Sequence, residues 1–187
     1  MTADRICVVG CSGAGKSTFG RRCAALGYAF LELDGVFHQA GWRKLPDDEA
    51  RARIGAFLDA HDRWVVDGNY ARFRDLLWTR ADTIVWLDPG RWTVSLGVAR
   101  RSLGRLIRRE ELWNGNRERW SEVFSLDPER SVIAWAWTRF PLYRQEYARE
   151  EHAPEWSHLR WARLRTRREA DALLARSTAA TGLALTV

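Results

Sequence analysis

Apolar residues in this chain gather in five short runs, and the stretches between the first four carry helical spacing or turn signals. "RICVV" (5–9) is a compact β-branched run that stops at Gly10, as a buried strand does. Residues 15 to 25 follow with Phe19, Cys23 and Leu26 at helical spacing and Gly27 as a stop signal. "AFLEL" (29–33) reads as a second strand, Pro46 to about Ala60 as a helix, and "RWVVD" (63–67) as a third strand. "DTIVWLD" (82–88) comes after a short segment around 71–77, and "HLRWARL" (158–164) precedes a terminal helix near 167–176. Strands alternating with helices predict an α/β fold, a parallel sheet covered on both faces. With no repeat, low-complexity stretch or linker, residues 1–187 read as a single domain. The about seventy residues between the fourth and fifth runs read as helices at 91–109, roughly 118–125 and 129–152, with Pro141 expected to kink or split the last. An insertion of this kind suits a mobile lid.

Composition adds limits. At 46% hydrophobic and 29% charged residues the chain is globular in type rather than disordered. No apolar run approaches the roughly 18 residues of a membrane span. A strand beginning at residue 5 leaves no room for a signal peptide, so the expected location is cytoplasmic. Cys7, Cys11 and Cys23 have no metal spacing and read as reduced thiols, Cys7 and Cys23 as small apolar core residues.

The chemistry begins at "GCSGAGKST" (10–18), which fits G-x-x-x-x-G-K-[ST] and lies between the first strand and the first helix. Gly10, Ser12, Gly13, Ala14 and Gly15 would turn backbone N–H groups toward a phosphate, reinforced by the helix N-terminus. Lys16 would reach the β- and γ-phosphates of ATP, and the Ser17 hydroxyl would ligate Mg²⁺, with Thr18 beside it in either a nucleotide-binding or a packing role. Asp67 ends the third strand, where it would hold Mg²⁺ or contact the acceptor, or else cap the turn at Gly68. Glycine at 68, where many motor ATPases place Glu, argues against a motor. The absence of an N-K-x-D motif argues against a regulatory GTPase.

Glu32 and Asp34 end the second run in "LELD", at the edge where parallel sheets bind ligands. Asp34 would orient a substrate hydroxyl or take its proton, or else form a strand-end turn with Gly35. His38, Trp42 and Arg43 follow on the presumed acceptor side, Trp42 as a stacking surface or core and Arg43 as a phosphate contact. Arg72 and Arg74 are further acceptor-phosphate candidates, and Arg165 and Thr166 would touch adenine by position. Residues 91–109 hold six arginines and no acid. Arg101, Arg105, Arg108 and Arg109 share one helical face, with Leu96, Ala99, Leu103 and Leu106 opposite as the apolar side. A face of arginines with no acid interleaved in the sequence calls for an anion: a triphosphate in transfer, or a nucleic acid, or else simple solvation. "ELWNGNRERW" (111–120) predicts a turn at Asn114-Gly115, with Glu111, Arg117 and Glu118 contacting substrate or capping helices.

Together, "GCSGAGKST", "LELDGVFHQAGW", "WVVDGNY", the arginine-rich helix and "ELWNGNRE" resemble the small bacterial P-loop kinases of the adenylate-kinase-like, DNA topology modulation family. The resemblance spans most of residues 5–170. It implies a P-loop three-layer sandwich, a five-stranded sheet in 2-3-1-4-5 order with a helical lid at about 91–152, and ATP with Mg²⁺ as donor. Two departures are visible: "DGNYAR" replaces the D-G-F-P-R of adenylate kinases, moving the arginine to Arg72, and Glu32-x-Asp34 replaces the D-x-D of shikimate-type kinases. The expected activity is transfer of the γ-phosphate to a nucleoside or nucleotide, with another hydroxylated metabolite as alternative. Lys16, Asp34, Arg101, Arg105 and Arg109 are the expected catalytic set. The rival class is a nucleotide-dependent nucleic-acid-binding protein. No membrane or nucleic-acid partner is expected, and a homodimer is left open.

Overall fold

A computed structural model describes residues 3–117, 127 and 131–178. Five parallel strands, β1 (Arg5–Val9), β2 (Ala29–Glu32), β3 (Trp64–Asp67), β4 (Thr83–Leu87) and β5 (Arg160–Leu164), form one sheet in the order β2-β3-β1-β4-β5. This is the expected order. It arises because β1 feeds the phosphate loop at the sheet centre while successive crossovers add strands on either side. The register aligns Val8 with Asp67 and Glu32 with Asp67, so both carboxylates stand at the same edge as Gly10.

Alternate residues of β1 serve opposite faces. Ile6 and Val8 pack with Phe19 and Cys23 of α1 (Lys16–Ala24) and with Leu173 and Leu174 of the last helix, Arg167–Thr178. Cys7 and Val9 pack with Ile54 and Leu58 of α3 (Asp47–Ala60), Leu77 and Trp78 of α4 (Arg74–Trp78), and Tyr147. Trp64 and Trp86 are both essentially buried here. Such burial stabilises by roughly 2–3 kcal/mol per side chain, which is why these strands read as continuous apolar runs. Burial raises the Cys7 thiol well above its usual range and pushes Cys23 up to about 12, so both stay protonated core residues.

Several expectations need correction. β2 stops at Glu32, and Asp34 lies in the first turn of a short helix, α2 (Leu33–Phe37), rather than on the strand. The expected helix at 118–125, and Glu118 with it, lies outside the described residues. The helix expected to break at Pro141 instead runs unbroken from Val132 to Glu150 (α6). Pro141 lacks the N–H that would bond the Trp137 carbonyl. That carbonyl accepts from the Arg91 guanidinium at 2.8 Å instead, with Arg91 lying 3.7 Å above the Trp137 ring.

The faces of α5 (Arg91–Arg108) also differ from expectation. Its buried stripe is Val94, Val98, Ser102 and Leu106, while Leu96 is 68% and Leu103 is 43% exposed. Small residues face inward because this helix packs on a backbone: Val94 and Val98 join Cys11, Ala136 and Phe140 in a third cluster beside the phosphate loop. No helix among the described residues is long and apolar enough to cross a membrane.

Candidate functional site

The phosphate loop is held by contacts that only small residues permit. Gly10 has φ +140°, and a Cβ there would stand 2.3 Å from the Leu87 carbonyl oxygen. Gly13, at φ +86°, lies so close to α5 that a Cβ would meet Val98 at 2.5 Å. Asn69 fixes the loop entrance: its Oδ1 accepts from Gly10 N at 3.1 Å and its Nδ2 donates to Gly10 O at 2.6 Å. Tyr147 OH donates to the same Oδ1 at 3.0 Å. Beyond Gly15, α1 begins at Lys16, so the first N–H groups of a nine-residue helix have no intrahelical partner and point at the loop mouth.

Lys16, Ser17 and Asp67 converge there. Ser17 Oγ donates to Asp67 Oδ2 at 2.7 Å, and Lys16 Nζ lies 3.4 Å from Cys11 O and 3.9 Å from Asp67 Oδ1. Asp67 is 4% exposed, and burial pushes its carboxyl up to about 6, opposed by Lys16 and Ser17 and reinforced by Asp34 and Glu32. A buried carboxylate carrying a hydroxyl partner, with its cation nearly 4 Å away, fits a divalent ion well. Among the described residues no group of three or more His, Cys, Asp or Glu is arranged to hold a metal. Phosphate oxygens and water would therefore supply the other ligands. Cys11 Sγ donates to Ala136 O at 3.4 Å and burial raises its pKa, which places this thiol in packing rather than attack.

The acceptor side is built around the β2 and β3 ends. Tyr70 OH donates to Asp34 Oδ1 at 2.7 Å, and Trp113 Nε1 donates to Glu32 Oε2 at 3.0 Å. Burial, then the Asp34 charge, drives the Tyr70 pKa far up, so this hydroxyl stays a donor. His38 stacks on Trp113 (5.9 Å between centroids) and meets Trp42 edge-on (5.5 Å). Burial lowers the His38 pKa, and its Nδ1 is buried with no hydrogen-bond partner among the described residues. An incoming polar group would satisfy it.

The arginines separate. Arg101 donates to Ser12 Oγ at 3.1 Å, and Arg105 lies 5.8 Å over the Trp113 ring, toward the acceptor side. Arg108 pairs with Glu110 at 3.4 Å on the surface, and Arg109 is exposed in the left-handed cap that ends α5. None of the described contacts of Arg109 reaches the loop. Arg72 pairs with Asp47 at 3.3 Å and lies 4.1 Å over the Phe37 ring. Arg74 is held by Glu146 and Glu150 and stacks on Trp78. Arg43 is exposed, its Nε 3.4 Å from Ala40 O. Near the expected adenine side, Thr166 Oγ1 accepts from Glu169 N (3.2 Å) and Glu169 accepts from Arg165 N (2.6 Å), so both ends of that pair cap the last helix.

Sequence reasoning missed Asn69, Tyr70, Trp113 and Asn116. Asn69 and Tyr70 follow Asp67 within the quoted "WVVDGNY", but their partners lie far away in sequence. A groove of about 610 Å³, lined by Asp4, Arg5, Asp62, Arg63, Arg80 and Asp82, lies at the opposite edge of the sheet. Several of its charges are paired, as in Arg63–Asp4 at 3.1 Å and Arg80–Asp59 at 2.8 Å.

With the loop at the C-terminal edge of a 2-3-1-4-5 sheet, the molecule has the three-layer α/β fold of P-loop proteins. Shikimate kinase from Acinetobacter baumannii in complex with shikimate is similar, at TM-score 0.51 and 20% identity over 92% of this chain and 89% of that one. A gluconokinase from Sinorhizobium meliloti 1021 aligns at TM-score 0.48 and 22% identity over 92% of each chain. No family model and no curated protein matches the chain. The likeness is one of fold.

Proposed function

We propose that the protein is an ATP-dependent phosphotransferase acting on a small hydroxylated acceptor, in keeping with the resemblance to adenylate-kinase-like P-loop kinases. The observation that carries this reading is the convergence of Lys16, Ser17 and the buried Asp67 at the loop mouth, with Arg101 on Ser12 above them. Lys16 and the loop N–H groups would hold the triphosphate. Ser17 and Asp67 would hold Mg²⁺, which when bound neutralises charge on the β- and γ-phosphate oxygens. Arg101 and Arg105 would stabilise the charge that spreads over the transferring group.

Asp34, fixed by Tyr70, would accept the proton of the acceptor hydroxyl as its oxygen bonds to the γ-phosphorus. The bond from that phosphorus to the β–γ bridging oxygen breaks, and ADP leaves. A nucleoside or nucleotide is the leading acceptor, with Trp42, His38 and Trp113 available to a ring. The engagement of Arg72 by Asp47 and Phe37 weighs for the nucleoside over its monophosphate. A cytoplasmic setting, where ATP, Mg²⁺ and reduced thiols coexist, belongs to the same reading.

The test is ADP release from ATP·Mg²⁺ with nucleosides, nucleoside monophosphates, polyols, hydroxy acids, and single- and double-stranded DNA. Stimulation by a small acceptor, with its phosphorylated product seen by mass, is expected. Stimulation by nucleic acid alone would replace this reading with the polymer-binding one.

A further inference from the structure

The helix α5 is anchored at both ends, and the two anchors belong to different halves of the site. In its first half it bears on the phosphate loop: a Cβ on Gly97 would stand 2.9 Å from Gly13 O, and a Cβ on Gly13 would stand 2.5 Å from Val98. At its far end the chain turns through 109–116 and hooks onto residues 35–42, the acceptor side. Asn116 is the hook. It is 3% exposed, its Nδ2 donates to Gln39 O (2.9 Å) and Trp113 O (2.8 Å), and its Oδ1 accepts from Trp42 N (2.9 Å). Asn114 Nδ2 adds bonds to His38 O (2.5 Å) and Gly35 O (3.3 Å), and Trp113 reaches Glu32.

Backbone strain is concentrated at the same joint. Among the described residues three non-glycine residues have positive φ, namely Trp42 (59°), Arg109 (48°) and Asn114 (57°), and all three belong to it. Such conformations persist only where surrounding contacts over-determine them.

We infer that α5 is a strut that couples occupancy of the phosphate loop to the conformation of the acceptor segment 35–45, with Asn116 as the positioning residue at the acceptor end. The inference rests on the phosphotransferase reading. A helix of 18 residues spans about 27 Å and transmits displacement along its axis. A shift of Gly13 on nucleotide binding must move Gly97 and Val98, since no space separates them. Asn116 cannot follow the end of α5 and keep its bonds unless residues 39 and 42 follow too.

Hydrogen exchange with and without Mg²⁺ and a non-hydrolysable ATP analogue tests this on the full chain. In the wild type we expect slower exchange at residues 10–19 and, about tenfold, at 38–45, where Gln39, Trp42 and Leu45 amides are bonded. In Asn116→Ala the loop should still slow while 38–45 does not respond, with analogue affinity changed less than about threefold. Asn114→Gly, which keeps the left-handed backbone and removes the amide, should weaken the same response and guards against a folding failure of the first variant. Melting curves of both confirm that they fold. A protected loop with an unresponsive 38–45 in the wild type overturns the coupling and leaves the nucleotide site standing. A full response retained in both variants overturns the role of Asn116. Absence of any protection at 10–19 removes the nucleotide site, and the coupling falls with it.

Discussion

Asp67 is the residue on which burial and chemistry pull in opposite directions. Its carboxyl, raised to about 6 by burial, binds a proton more tightly in the folded chain than in the unfolded one. Its stabilising contribution is therefore complete below the unfolded value near 4 and is lost as pH rises through about 6. Asp67→Asn should accordingly stabilise the metal-free protein by roughly 1–3 kcal/mol at pH 8, with the gain vanishing near pH 4. Denaturant melts at the two pH values check this, and a gain that is the same at both would contradict the assignment. The same substitution should abolish Mg²⁺-dependent ADP release, the stability–activity opposition common at such sites. Lys16→Ala should leave the circular dichroism unchanged and lower ADP release at least about a hundredfold. Near-normal turnover would sink the loop assignment. Lys16, Ser17 and Asp67 were legible from spacing and strand-end position. Asn69 and Asn116 were not, because single polar residues whose bonds span 59 and 77 positions leave no local pattern.

At the level of elements, the strands were the easiest to read, since β1, β3 and β4 are covered on both faces and must be apolar throughout. The helices around the site were harder. A helical wheel assigns the inward face of α5 to Leu96 and Leu103 along with Leu106, but the partner of its first half is Gly13, and the residues that approach it are Val94, Gly97 and Val98. For α6, local rules called for a break at Pro141, and a tertiary contact overrode them: Arg91 takes the carbonyl that proline leaves open. Arg91→Ala should therefore cost roughly 1–3 kcal/mol in wild type. In the Pro141→Ala background, where residue 141 supplies an N–H to Trp137 O, that cost should shrink by about 1 kcal/mol. A double-mutant cycle of unfolding free energies measures the difference, and strict additivity would mean that Arg91 acts elsewhere.

Over the whole molecule, sheet order and loop position followed from the alternation of runs together with the family resemblance. The formal charge of +6 told less. Many arginines are paired with carboxylates of the same chain, as in Arg163 and Arg144 on the buried Asp88 (2.6 and 3.2 Å), Arg160 on Asp82 (3.1 Å) and, at the surface, Arg51 on Asp75 (2.8 Å). A surface so balanced should bind duplex DNA only weakly, with ADP release unaffected by polymer at moderate salt. Polymer stimulation that fades steeply with added salt would reverse that conclusion. Finally, all three cysteines are buried, with thiol pKa values raised by that burial. The native chain is thus a quiet background for maleimide chemistry. A pair of cysteines introduced at exposed positions, one on α5 and one on α3, would take up dyes without removal of any native residue, and energy transfer between them would serve as a ruler for how far the arginine helix travels.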